Sequence, residues 1–353
     1  MKKHAPTKLL IFNYVMDKSH PALAHQVDVV ESLSLYFDFV TVITGHSNLK
    51  INEIPENVQI VSTNWRPDSN FRNVLTFYKK FFNSLRGNKY TCVFSHMTLI
   101  QSFLVAPILR IIRVRHYVWY AHAQNSIYLK IVYFFSNGLL TSTRGSCPIR
   151  GSKVKYLGQS VDENIFDNKI CKETNKLYRG IHIGRLDPAK NIEKIIETFI
   201  VCKKKIPNLN LTFVGNPSNK NSEKYISEIK DFWRSEIDSG SLTFLPAIPR
   251  NEIPQYLSNF DFFIHGFVGS LDKTLIEATL CKLPVVTLNV EYHNEFGSWP
   301  GCEIDLVSEL DYILNCKKDT LMLELEIRRK IAIQNHSLAR WIENLSITLL
   351  NGI

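Results

Sequence analysis

The run Ile181-His182-Ile183-Gly184-Arg185-Leu186-Asp187-Pro188-Ala189-Lys190-Asn191 decides the fold. It opens as a short β-branched strand and breaks at a glycine. It then re-enters regular structure as a helical pattern from Asn191 to Lys204, with Ile192, Ile195, Ile196, Phe199 and Ile200 on one face. A buried strand followed at once by an amphipathic helix is half of a βαβ unit. The rhythm continues downstream with strand candidates at Leu209–Gly215, Leu242–Pro246, Asp261–His265, Pro284–Leu288 and Glu303–Leu306. Upstream it is already present at Leu9–Asn13, Val40–Thr44, Gln59–Ser62, Thr91–Phe94, Tyr117–Tyr120, Gly138–Thr141 and Val154–Leu157, with helical patterns between, such as Gln26–Tyr36. Strands alternating with helices imply parallel sheets with crossover helices. Two tandem sets predict an α/β chain of two Rossmann-like domains, their sheets facing across a cleft. Residues 1–166 form the first and 167–335 the second. Residues 336–353 form a final helix. The polar stretch from Phe166 to Leu177 is the expected seam. Open α/β sheets bind ligands beyond the carboxyl ends of their strands, so the site belongs in the cleft.

The chain of 353 residues is 45% apolar and 21% charged, ordinary for a protein with sizeable cores. The longest apolar candidate for a membrane span, Leu99 to Val114, is interrupted by Gln101, Pro107, Arg110 and Arg113. Met1-Lys2-Lys3 resembles a signal peptide's start, but the apolar stretch after Lys8 ends at Asp17 with no small-residue cleavage site, which predicts a buried strand. Seven scattered cysteines with no C-x-x-C pair suit reduced thiols and a cytoplasmic location.

The net charge of +9 is unevenly placed. Residues 1–166 carry 19 Lys and Arg against 9 Asp and Glu, a balance of +10, and the remainder balances at −1. A one-sided basic domain points to an anionic partner. Over Phe71–Arg86 an apolar helical face carries Arg72, Lys79, Lys80 and Arg86 beside it. That pattern fits a surface helix with solvated lysines, or one lying on the inner, anionic face of a membrane. No nucleic-acid-binding motif is present, and nucleic acid is not an expected partner.

Arg185 and Lys190 sit together at the carboxyl end of a strand, an arrangement that suits a diphosphate or two solvated loop residues. The second motif is Gly266-Phe267-Val268-Gly269-Ser270-Leu271-Asp272-Lys273-Thr274-Leu275-Ile276-Glu277-Ala278. A glycine-containing loop leads into a helix near Asp272 or Lys273, whose free amides and dipole form a phosphate site. Asp272 has two open roles, N-cap or catalyst. Glu277, one turn in, can accept bonds from sugar hydroxyls.

Gly-Arg-Leu-Asp-Pro-x-Lys-Asn, then Leu-x-x-Val-Gly at Leu211–Gly215 and Glu-Ala-x5-Pro-Val-Val at Glu277–Val286, resemble in order and spacing the carboxy-terminal signature of glycosyltransferase family 4. Those enzymes are GT-B-fold, retaining and nucleotide-sugar-dependent. The resemblance implies a hexosyltransferase acting on a glycan acceptor, such as a lipid-linked oligosaccharide or a lipopolysaccharide or capsule precursor. It implies donor binding by Arg185, Lys190, Ser270, Leu271, Asp272, Lys273 and Glu277, with backbone at Ile248 meeting the nucleobase. Arg185 and Lys190 would stabilise the departing diphosphate. His122, after Tyr117–Tyr120, matches the family histidine near the reaction centre, though a hydrogen-bonded structural role stays open. His20, His25 and His96 are acceptor candidates, with a capping or loop role open for His20 and His25, and the resemblance also implies that the final helix, residues 336–353, packs back on the first domain with Trp341 as its anchor. The family's first glutamate is here Gly269, a departure that predicts a variant site. No Asp-x-Asp occurs, so neither metal nor other cofactor is expected. A non-catalytic GT-B subunit and a nucleotide-sugar 2-epimerase are the alternative readings.

Overall fold

The computed structural model describes residues 6–20, 23–66, 69–167 and 178–353. Met1-Lys2-Lys3, Cys171 and most of the expected seam, residues 168–177, lie outside the described residues. The chain divides into two compact units, residues 1–158 with 340–353, and residues 159–339. The first division falls at Gly158, ahead of Phe166. Phe166 is fully buried in a core of the second unit, packed with Val161, Leu275 and Leu280.

The first unit holds seven parallel strands: β1 (Lys8–Met16), β2 (Phe39–Ser47), β3 (Val58–Ser62), β4 (Cys92–His96), β5 (Arg115–Trp119), β6 (Gly138–Thr141) and β7 (Val154–Tyr156). Their order is β3-β2-β1-β4-β5-β6-β7. The crossovers are helical: α1 (His25–Ser34), α2 (Asn70–Leu85), α3 (Leu99–Ile111) and α4 (Ile127–Phe135). A central strand buried on both faces favours a continuous apolar run, and β1 supplies one in Leu9, Leu10, Ile11 and Phe12, all fully buried. On one face Phe77 and Phe81 of α2 meet Phe12 edge-on at 5.4 and 6.0 Å.

The second unit has five parallel strands: β8 (Arg179–Ile183), β9 (Asn210–Val214), β10 (Leu242–Leu245), β11 (Phe262–His265) and β12 (Val285–Thr287). Their order is β10-β9-β8-β11-β12. Its helices are α5 (Ile192–Lys203), α6 (Lys220–Phe232), α7 (Arg234–Asp238), α8 (Ile253–Leu257), α9 (Lys273–Leu280), α10 (Val290–Phe296), α11 (Leu306–Asn315) and α12 (Lys318–His336). The last helix, α13 (Leu338–Asn351), starts in this unit, and its residues from Arg340 belong to the first. There Trp341 is fully buried, with its ring 5.1 Å from Trp119 and 5.9 Å from His96.

One expected strand is absent. Glu303–Leu306 is the approach to α11, because the Asp305 carboxylate accepts from Ser308 N at 2.9 Å and caps the helix. The apolar pair Ile304 and Leu306 was too short a signal to outweigh that cap. Among the described residues no helix is long and apolar enough to cross a membrane.

Candidate donor site in the second unit

Strands β8 and β11 are neighbours, so the loops leaving their carboxyl ends lie side by side. The first loop makes a short 3-10 turn over Pro188–Lys190 and enters α5 through Asn191, whose φ of 51° is left-handed. The Asn191 amide donates to Gly266 O at 2.7 Å and ties the two loops together. Gly266 is required by that approach, since a Cβ there would lie 2.5 Å from Lys190 O.

Lys190 is buried, and its ammonium is bonded to the Asp272 carboxylate while lying 4.2 Å from the centre of the Phe267 ring. Asp272 occupies the N-cap position of α9 but makes no side-chain cap bond. Its carboxylate is committed to Lys190 and to His265 Nε2, the latter at 3.2 Å. Burial by itself would raise the Asp272 pKa, but the ammonium and the His265 ring outweigh it and hold the carboxyl well below its usual range. Burial lowers the pKa of His265, and that of His182, stacked 5.7 Å from it, falls to about 3 for the same reason. Both rings are therefore neutral at pH 7, and the local charge is one ammonium against one carboxylate.

Of the two open roles for Asp272, the structure thus shows neither a side-chain cap nor a free carboxylate. It makes Asp272 the partner of Lys190. Arg185 differs: its guanidinium is exposed, 3.4 Å from Asp187. Asp187 also accepts from Ser218 Oγ at 2.8 Å, which orients it toward the loop after β9.

The second loop is held by its carbonyls. The Asn289 carboxamide donates to the carbonyls of Phe267, Gly269 and Ser270 at 3.1, 3.1 and 3.2 Å. Gln159 donates to Leu271 O at 2.6 Å. α9 opens at Lys273, and the start of a helix is where backbone amides and the dipole favour an anion. Lys273 reaches Ser160 O and Oγ, both at 3.1 Å. Glu277 is buried and paired with Arg250 at 3.0 Å. Ile248 is half-buried against the core that contains Leu271 and Ile276. A Cβ at position 269 would lie 2.2 Å from the Phe267 ring, so a side chain there requires the aromatic that covers Lys190 to move aside.

Asn289, Gln159, Arg250 and His265 were not candidates from the sequence. Asn289 lies 22 residues from Phe267 and Arg250 27 from Glu277, and no local spacing links them.

In the first unit, acceptor binding was expected of His20, His25 and His96. The rings of His25 and His96 are buried, 5.7 Å apart, with His96 also against Phe94, so packing holds them away from solvent. His20 is half-buried and accepts from Leu23 N at 3.0 Å. Gln26, beside it, accepts from Tyr14 N and Val15 N and braces the loop after β1. His122 is exposed just beyond β5, its ring 5.5 Å from Tyr120.

Residues 162–296 match the family model described as Glycosyl transferases group 1. No curated protein sequence matches the chain. Among solved structures the chain is similar to Anabaena Alr3699/HepE, solved in complex with UDP and glucose. The identity is 16% and the TM-score 0.74, over 98% of this chain and 100% of that one. It is also similar to sucrose-phosphate synthase of Thermosynechococcus elongatus, at 12% identity and TM-score 0.74 over 96% and 97%. A third is WaaG, a glycosyltransferase involved in lipopolysaccharide biosynthesis, at 13% identity and TM-score 0.65 over 98% and 100%. The fold is therefore that of the GT-B glycosyltransferases: two α/β units with parallel sheets of seven and five strands.

Proposed function

We propose that the chain is a retaining hexosyltransferase of the family 4 type, moving a sugar from a nucleotide donor to a glycan acceptor without a metal ion. The observation that carries this reading is the pairing of the β8 and β11 loops through Asn191–Gly266 and Lys190–Asp272, which sets two cations and the start of α9 at one sheet edge. A donor diphosphate would take Arg185 directly. It would compete with Asp272 for the Lys190 ammonium, a contact worth most as charge grows on the departing phosphate. Ser270, Leu271, Asp272 and Lys273 present backbone to sugar and phosphate, and Glu277, oriented by Arg250, accepts from the ribose. Of the acceptor candidates His20, His25 and His96, the half-buried His20 is the one accessible to a glycan, and His122, read as the histidine near the reaction centre, is exposed. UDP is the donor nucleotide to test first, because HepE is solved with it.

A lipid-linked acceptor at the inner face of a membrane fits α2, which exposes Phe71, Leu75 and Phe82 alongside Arg72 and Lys79. This departs from the expected single apolar face, since Phe77 and Phe81 are buried in the core and Tyr78 and Leu85 pack against it, while Phe71, Leu75 and Phe82 face solvent.

The test is a thermal-shift titration with UDP-glucose and other nucleotide sugars, followed by assay of labelled sugar release and transfer. A bound donor stabilises by mass action, about 2.7 kcal/mol at a hundred times Kd. Stabilisation with transfer to a glycan supports the proposal. Stabilisation without sugar release makes the chain a non-catalytic subunit, and acceptor-independent release of free sugar makes it an epimerase. No stabilisation by any nucleotide sugar overturns the donor site.

A further inference from the structure

A diphosphate that takes the Lys190 ammonium leaves the Asp272 carboxylate without its cation. Among the described residues the nearby cations are engaged elsewhere. Lys273, next in sequence, donates to Ser160 O and Oγ at 3.1 Å. Arg185 lies 3.4 Å from Asp187, and Arg250 lies 3.0 Å from Glu277. The backbone around Asp272 is pinned as well, because Leu271 before it is buried with its carbonyl bonded to Gln159, and Lys273 after it opens α9. The carboxylate therefore stays in the site and faces the two or more negative charges of the incoming group, an arrangement that a partly buried anion resists.

One group in contact with Asp272 can answer that charge. His265 closes β11 and is fully buried, and its Nε2 lies 3.2 Å from the same Asp272 oxygen that bonds the Lys190 ammonium. Its other ring nitrogen, Nδ1, is buried with no hydrogen-bond partner. The ring is thus held from one side, and no second bond commits it to one protonation state. The titratable and charged groups facing it are Asp272, Lys190 and His182, whose ring stacks at 5.7 Å. The rings of Phe263 and Phe267, at 6.2 and 6.3 Å, add no charge. His182 does not suit the same role. Its Nδ1 is bonded to Ile264 O at 3.0 Å, and burial takes its pKa down to about 3.

Lys190 governs the state of His265. Burial is the largest influence and keeps a proton off the ring, Asp272 favours one, and the ammonium opposes it. When the ammonium turns to a phosphate, that opposition weakens and new negative charge arrives on the same side. Both changes favour a proton on the imidazole.

On the donor reading above, we propose that a diphosphate binds at Lys190 together with one proton, taken from solvent by the His265–Asp272 pair. His265 is then a positioning residue. As an imidazolium it replaces Lys190 as the partner of Asp272 and frees the ammonium for the phosphate. The proton belongs to the pair, since the two groups share one hydrogen bond, and it returns to solvent when the diphosphate leaves.

The experiment is calorimetry of the full chain with UDP-glucose at pH 7.5, in HEPES and in Tris, two buffers whose own ionisation heats differ. UDP-glucose is the probe because its diphosphate is esterified at both ends and takes up no proton in this range. The difference in heat between the buffers counts the protons taken up, and the expected count is about one. From pH 7 to 8 the Kd should rise by up to about tenfold, the change that one linked proton produces per unit of pH. H265Q should bind with a count near zero and a flat Kd over the same range. H182Q and E309Q, which alter two other buried titratable groups of this unit, should keep the count. A purely structural role for His265 would weaken binding in H265Q and leave the count at one, which overturns the proposal. A count of zero in the parent overturns it without any variant, and leaves the donor site standing. Neither thermal shift nor binding heat with UDP-glucose would remove the site for that donor, and the proposal with it.

Discussion

Lys190 and the pair Arg110–Arg113 are cations placed at opposite kinds of sheet edge and held in opposite ways. Lys190 follows the carboxyl end of β8, is buried, and has a carboxylate, an aromatic face and two neutral imidazoles around it. Arg110 and Arg113 precede the amino end of β5, are exposed, and have other cations as neighbours. A buried charge must be compensated within the fold, because desolvation otherwise costs more than the fold's net stability allows. Compensation also fixes its position, which suits a group that must meet one phosphate at one moment of a reaction. An exposed charge needs no internal partner, and a cluster of them keeps its field for an external anion.

The most demanding break of this contrast is to delete each cation in turn. Lys190→Ala should lower sugar transfer by 100-fold or more, on the scale of roughly 10²–10³ for one electrostatic donor to a transition state. It should also destabilise the second unit by roughly 2–3 kcal/mol, because Asp272 is left partly buried and unpaired. Arg110→Gln should move stability by no more than about 0.5 kcal/mol. Chemical denaturation of both variants, with initial rates for the first, checks this. Equal losses would erase the distinction.

A smaller effect is expected at Asn289, which holds the loop carrying Ser270 without touching either charge. Asn289→Ala removes three donations to carbonyls and the cap on Tyr292 N, at 3.0 Å. A loss of about 2 kcal/mol, with a raised KM for the donor, is expected. A wild-type KM would show that the loop keeps its shape unaided.

Glu309 sharpens the comparison from the other side, as a buried carboxyl whose charge is so little compensated that it keeps its proton. Its carboxylate accepts from Thr287 N at 2.9 Å, while burial pushes its pKa up to about 8. The nearby His293 imidazole lies 3.3 Å away and is itself shifted toward neutrality by burial. The folded state therefore holds a proton that the unfolded chain releases near its ordinary value of about 4.3. Stability from this group is complete below that value and declines as pH rises toward 8, by about 5 kcal/mol at most. Tm measured from pH 5 to 9 should fall accordingly, and Glu309→Gln should flatten the fall. A parallel decline in the variant would remove Glu309 as the cause.

Period and burial made the architecture legible in advance. A strand covered on both faces reads as a near-continuous apolar run, so the runs Leu9–Phe12 within Leu9–Asn13 and Leu139–Leu140 within Gly138–Thr141 could be read before any contact was known. The helix opening at Lys273 was legible for a similar local reason, a glycine-containing loop before an apolar face. Glu303–Leu306 misled because two apolar residues in a short run satisfy a strand and a helix entry equally, and the Asp305 cap decided between them.

What lay beyond local reading was partnership. Lys190 and Asp272 are 82 residues apart, His25 and His96 71, and neither pair follows any period of the chain. The order of residues by itself determined which segments are strands and helices and which residue types stand at the strand ends, because those depend on each segment's own polarity and steric preference. Only the tertiary structure decided that Asp272 neutralises Lys190, that Phe267 fills the space beside Gly269, and that Arg110 and Arg113 have no internal anion. Those outcomes depend on which strands lie side by side, and that adjacency is settled by burying the whole sheet at once.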